Sequence, residues 1–253
     1  MASTASDKVQ QYKDSLKRKA EQLILTGFPE KIVLLNEILE SPILNVKDLT
    51  NVHQKVNIPI PEPVQFNNGV VSSCSDEPAP KRQRTSSEST TTNCVEGTKV
   101  LTLEGGPVSC NQTLSQVIRT VKPHIKQLVE DANLLKMWIS FMIPKIEDGN
   151  NFGVSVQEET LAEIQSVESE AAAFFDQISR YFCSRAKIIS KVAKYPHVED
   201  YRQAVRELDE KEYLSMWLVM CEIRNRYCTL HDIVTKNLEK IKKPRSTNSE
   251  SLY

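Results

Sequence analysis

The chain is expected to be all-α, an elongated four-helix bundle with a long disordered insert between its first and second helices. Three observations lead there. Glycine is scarce, seven in 253 residues where about 7% is usual, and none occurs from Val154 to Tyr253. Apolar residues return every three or four positions along four long segments, the spacing that gathers them on one helical face. Between the first two segments that rhythm stops, and Pro, Ser and Thr accumulate instead.

The first helix spans 7–40. Val9, Tyr12, Leu16, Ala20 and Leu23 form its stripe, and Ile32, Leu35 and Leu39 resume it. Gly27-Phe28-Pro29 should kink it between, because proline lacks the backbone donor and its ring clashes with the preceding turn. Residues 41–110 read as an insert without regular structure. Pro59, Pro61 and Pro63 alternate with other residues in a way that suits extended, polyproline-like chain. Thr85 to Thr92 is Ser or Thr at every position but Glu88, too polar to offset the entropy of ordering.

The second helix spans 111–146, with Asn111 as N-cap and a kink expected at Pro123. A connection at 147–155 follows. The third helix, 156–194, is introduced by Ser155 and Glu158, three residues apart as in a capping box. Tyr195-Pro196-His197 breaks the chain tightly, the fourth helix spans 197–243, and Pro244 leads into a polar tail, 244–253. The whole chain, 1–253, is one domain. Rods of roughly 40 residues are about 60 Å long. A bundle so slender has a high surface-to-volume ratio, so side-by-side association is expected.

Composition narrows the function classes. Lys and Arg number 32 against 33 Asp and Glu, so no global field draws the chain to nucleic acid or membrane. No apolar run approaches the roughly 20 residues of a membrane span, and no signal-like apolar stretch opens the chain. Six cysteines, at 74, 94, 110, 183, 221 and 228, lack framework spacing, which fits reduced thiols in an intracellular protein. Neither GxxxxGK[ST] nor GxGxxG occurs, nor HExxH. Cys228 and His231 share a helical face and could supply two metal ligands, but nothing nominates the other two. The plainer reading is a half-buried thiol and a packed imidazole. The expectation is therefore no catalytic residue, no metal and no cofactor.

Two short features carry more. Pro80-Lys81-Arg82-Gln83-Arg84 is a compact basic cluster, the kind read by nuclear import receptors, or else an incidental solvated charge run. The connection Glu147 to Ser155 is longer than the roughly two to five residues that close a helical hairpin. It concentrates Gly149, Asn150, Asn151 and Gly153 around Phe152, which suits either a functional loop or a well-capped turn.

The segment IEDGNNFGVSVQEET, Ile146 to Thr160, closely resembles the activation loop of the 11S proteasome activators, also called REG or PA28. VESEAAAFFDQISRYF and KVAKYPHVEDYR, within Val167 to Asn225, are similar to that family's third and fourth helices, and KPRSTNSESLY to its C-terminus. The insert carries PKRQR rather than a Lys/Glu alternation, which resembles the family's gamma type.

The resemblance implies a homo-heptameric ring of four-helix subunits with a central channel, capping the alpha-subunit ring of the 20S proteasome. Activation would need neither ATP nor ubiquitin, and peptides and unfolded proteins would be the substrates of the opened particle. Asn150 is implied as the main residue of the activation loop, with Gly149, Asn151, Phe152 and Gly153 shaping it. Ser251, Leu252 and Tyr253 would dock the ring, an apolar pair beside a terminal carboxylate that could meet a pocket cation. The hydrophobic-Tyr-any ending of ATPase-type activators is absent, so docking by the tail and opening by the loop become separate tasks. Lys81, Arg82 and Arg84 become a nuclear localisation signal, placing the protein in the nucleus with the cytoplasm as second compartment. Lys187, with Lys191, Lys194 and Arg185 nearby, would face the channel and bias peptide preference, or else form a solvated basic face. The competing reading is a helical adaptor that oligomerises and binds nuclear partners through its insert.

Overall fold

The first helix starts at Ala5, two residues before the expected start at 7, because Thr4 caps it. The Thr4 hydroxyl accepts from the Asp7 backbone N–H at 3.2 Å, and the Asp7 carboxylate accepts from the Thr4 N–H at 2.9 Å, a reciprocal capping box. The computed structural model describes residues 4–62, 103, 105–147 and 149–245. Among these the regular structure is entirely helical. Helix α1 is Ala5–Gln22 and α2 is Phe28–Glu40, joined by a single π-helical turn, Leu23–Gly27. That turn stands where a kink is expected. The Phe28 N–H bonds the Leu23 carbonyl, five residues back, and the widened turn makes room for the Pro29 ring in the first turn of α2. The chain absorbs the proline without breaking the rod.

Helix α3 is Gln112–Ser140, α4 is Phe152–Lys194 and α5 is Glu199–Lys242. At 1.5 Å per residue, the last two are each about 65 Å long. Pro123 lies inside α3 on an exposed position and does not interrupt it, because the carbonyl it leaves unbonded can face water. Helix α3 stops at Ser140, six residues before the expected end. Pro144 has no N–H to donate and disfavours helical backbone at Ile143, so 143–147 carries no regular structure.

The four rods (α1–α2, α3, α4 and α5) share one continuous core. Ile24, Phe28 and Leu35 of the first rod meet Leu128, Leu135 and Trp138 of α3, Ile164 and Val167 of α4, and Met220, Ile223 and Tyr227 of α5. The Phe28 and Tyr227 rings meet edge to face at 5.1 Å. A smaller cluster of Ile58, Val192 and Val205 closes the end where α4 turns into α5.

The described stretches at either end of the insert, 41–62 and 105–110, pack against the bundle. Leu44 and Val52 are buried in the main core, and Leu49–Val52 forms a 3₁₀ turn capped by Asp48, whose carboxylate accepts from the Thr50 N–H at 3.0 Å. Its two ends are joined: Gln54 donates to the Ser109 hydroxyl at 2.7 Å and accepts from the Gln112 N–H at 2.7 Å. Asn111 caps α3 through the Leu114 N–H at 3.1 Å and donates to the Val52 carbonyl and the Asp209 carboxylate, both at 2.8 Å. Asp209, almost wholly buried, also accepts from Tyr181 and Arg185 at 2.9 Å each. Burial and the adjacent Asp209 carboxylate push the Tyr181 hydroxyl well above the ordinary phenol range. A polar knot of four side chains thus anchors both ends of the insert, and apolar periodicity cannot signal it.

Candidate functional site

The end of the bundle opposite that knot brings together the α3–α4 connection, the first turn of α4 and the last residues described after α5. Gly149 (φ 82°) and Asn150 (φ 44°) take consecutive left-handed backbone. Glycine enters that region without penalty, and asparagine is the side chain that tolerates it best. This pair reverses the chain, so α4 begins at Phe152 rather than after Ser155. Ser155 lies inside the first turn, its hydroxyl donating to the Asn151 carbonyl at 3.3 Å, and the expected Ser155–Glu158 cap is not formed. Gly149, Asn150 and Asn151 are loop residues, whereas Phe152 and Gly153 belong to the helix.

Gly153 serves close approach rather than positive φ. A Cβ at this position would stand 2.0 Å from the Pro244 carbonyl oxygen and 2.6 Å from its Cα. The chain leaving α5 therefore lies directly on the first turn of α4. Gln157, one turn on and fully buried, donates to the Met142 carbonyl at 3.1 Å and the Ile241 carbonyl at 2.7 Å, tying the ends of α3 and α5 together. Arg245 bonds Glu147 at 2.8 Å and the Asn151 side-chain oxygen at 3.1 Å, and Asn151 donates back to the Glu147 carbonyl at 3.3 Å. The Lys240 ammonium sits 4.6 Å from the centre of the exposed Phe152 ring. Asn150, Phe152, Pro144, Pro244 and Lys240 line an open cleft of about 800 Å³, and Ile146 beside it is fully exposed.

A family profile described as Proteasome activator PA28, C-terminal, matches residues 107–251, and its companion, Proteasome activator PA28, N-terminal, matches 3–63. The chain belongs to the PA28 family of proteasome activators. It is 49% identical over 246 residues to the Homo sapiens protein named Proteasome activator complex subunit 3, covering 97% of this chain and 95% of that one. A Gallus gallus protein of the same name matches at the same identity and coverage. Among solved structures, the 11S subunit of the Plasmodium falciparum proteasome, PA28, aligns with a TM-score of 0.71 and 31% identity, over 95% of this chain and 91% of that one. The relatives are named as activator subunits, regulators rather than catalysts.

Of the residues singled out from sequence, Gly149 to Gly153 are brought to one end of the bundle. Lys187 is exposed on α4 near its far end. Its expected companions separate: Lys191 lies over the Tyr201 ring at 5.5 Å and Lys194 over Tyr195 at 5.1 Å, while Arg185 is buried on Asp209. Arg185 is thus no part of an exposed basic face. Lys81, Arg82, Arg84, Ser251, Leu252 and Tyr253 lie outside the described residues. Among the described residues no group of three or more metal-ligating side chains gathers, and no helix is long and apolar enough to cross a membrane. Sequence reasoning placed Glu147 in the loop and Arg245 in the tail but did not pair them, and it gave Gln157 no role.

Proposed function

We propose that this protein assembles into a homo-heptameric ring that docks on the alpha-subunit ring of the 20S proteasome and opens its gate without ATP or ubiquitin. The ring admits peptides and unfolded proteins to the proteolytic chamber and catalyses nothing itself. The observation that carries the reading is the placement of Asn150, in left-handed backbone within its loop, at the same end of the bundle as Pro244 and Arg245, the last residues described before 246–253. A loop set beside the residues that precede the tail suits a surface that is held by one and pressed by the other. The names of the relatives support the proteasome as partner.

Exposed apolar side chains support the ring. Val9, Tyr12, Leu25, Val33 and Leu34 lie exposed on the first rod, and Leu214, Trp217 and Leu218 on α5. Apolar side chains left exposed on two rods of one subunit suit contacts with neighbouring copies that close a ring. Seven tails on one rigid ring then bind by avidity, each contact being weak. Lys187 on this reading faces the channel and biases which peptides are favoured. Lys81, Arg82 and Arg84 direct the ring to the nucleus, and alanine at all three shifts a fluorescently tagged chain to the cytoplasm.

The division of labour has a direct test. Removing residues 246–253 is expected to abolish co-sedimentation with 20S particles. Asn150→Trp is expected to leave co-sedimentation intact while losing stimulated hydrolysis of short fluorogenic peptides. Loss of both properties in both variants, or of neither, contradicts the assignment.

A further inference from the structure

We infer that Arg245 is a positioning residue that couples docking of the tail to the setting of the activation loop, so that the two tasks are mechanically joined through one side chain. The inference rests on the proposed reading of loop and tail, and goes beyond it by naming what connects them.

The geometry is specific. The two residues with left-handed backbone, Gly149 and Asn150, form the tip of the loop, and Glu147 and Asn151 are the feet on either side of it. The Arg245 guanidinium reaches both feet, one terminal nitrogen to the Glu147 carboxylate at 2.8 Å and the other to the Asn151 side-chain oxygen at 3.1 Å. A planar fork can span two acceptors in this way, and a lysine ammonium on its flexible stem cannot hold the same chord. The Asn151 amide closes the chord with its own bond to the Glu147 carbonyl. The loop tip is therefore held by a bracket whose far end is the main chain at Arg245.

That main chain cannot move alone. Pro244 is seated on Gly153 without room for a single added carbon, and Gln157 bonds the Ile241 carbonyl just before it. On the other side of Arg245 begins the segment 246–253 that enters the proteasome on the proposed reading. A force or a fixed position applied to the tail is carried through Arg245 to both feet of the loop. Glu147 is mostly exposed and Arg245 partly so, which makes the pair a weak contributor to folding and leaves position as its main effect.

The test uses full-length rings at saturating concentration with 20S particles, reading apparent affinity and maximal peptide hydrolysis separately. Arg245→Ala is expected to bind within about twofold of wild type, since an exposed pair contributes little. Its maximal stimulation is expected to fall about tenfold or more, the effect of about 1.4 kcal/mol of lost preference for the open gate. Arg245→Lys should recover only part of it. The double variant Glu147→Arg with Arg245→Glu should stimulate better than either single change. Should Arg245→Ala fail to form rings by light scattering, Glu147→Gln, which leaves the tail untouched, is expected to show the same loss of maximal stimulation. Asn150→Trp is run beside them. Full stimulation by the Arg245 and Glu147 variants with an inert Asn150→Trp overturns the coupling and leaves the loop reading standing. Full stimulation by Asn150→Trp as well overturns the loop reading itself. Weakened binding with normal maximal stimulation makes Arg245 a docking residue only, and also overturns the coupling.

Discussion

Gly153→Ala isolates the close approach of the two chain segments at the loop end. The added carbon would lie 2.0 Å from the Pro244 carbonyl oxygen, where ordinary contacts begin near 3.4 Å, so one segment must retreat by about 1.4 Å. Both partners are backbone, so no rotamer change relieves the clash. The Gln157 bonds to Met142 and Ile241 hold α3 and α5 one turn away, and the retreat falls on Pro244, Arg245 and the loop they bracket. Overpacking of this kind costs about 1–3 kcal/mol, and replacing a helical glycine by alanine returns about 1. The net loss, below about 2 kcal/mol, shifts melting by only a few degrees, about 2–4 °C per kcal/mol for a chain of this size. Function is expected to suffer far more, because about 1.4 kcal/mol of lost contact favouring the open gate already lowers its population about tenfold. The assay is stimulated fluorogenic-peptide hydrolysis by 20S particles at saturating ring, with melting followed by circular dichroism. About a tenfold loss with little change in melting is expected. Full stimulation would refute the reasoning, since the segments could then not need their present separation.

Other positions give independent tests. Glu212 on α5 is buried, one carboxylate oxygen lacks a partner among the described residues, and burial pushes its carboxyl up to about 7, with Lys211 opposing. Its folded form thus favours the proton, so stability present below the unfolded value near 4.5 is lost as pH rises towards 7. Glu212→Gln is expected to stabilise by up to about 3 kcal/mol at pH 8, at about 1.4 kcal/mol per pKa unit, and hardly at all at pH 4. Equal effects at both pH values would contradict this. Arg185→Ala leaves Asp209 buried without its cation and is expected to cost about 3–5 kcal/mol, with faster proteolysis of the insert it helps to anchor. Lys187→Glu, on an exposed site of the same helix, should change stability by less than about 0.5 kcal/mol. Its effect is expected on peptide preference, and an unchanged preference argues for a merely solvated lysine.

Long-range order within the rods was plain from the apolar stripe, because burying a helical face requires that period and little else. Local chemistry was less legible. Pro29 and Pro123 carry the same signal in sequence, yet one coincides with a π-helical turn and the other changes nothing, because Pro123 faces water and Pro29 enters the first turn of α2 beside buried Phe28. Ser155 and Glu158 match a capping pattern that the reversal at Gly149 and Asn150 makes redundant three residues earlier. Asn150 and its glycines stood out as turn residues because left-handed backbone selects for them. Arg245 and Glu147 did not, because they are 98 residues apart and a charged pair leaves no periodic trace. The same holds for Asn111, Tyr181, Arg185 and Asp209, each an ordinary polar residue until the fold brings them together.

The most direct measurement of the central claim is the rate of fluorogenic-peptide hydrolysis by purified 20S particles as purified ring is added without ATP. The account predicts a saturable rise of many-fold over the basal rate, absent with the chain lacking residues 246–253. A basal rate that stays flat while the ring is shown to be assembled would contradict it and favour a helical adaptor.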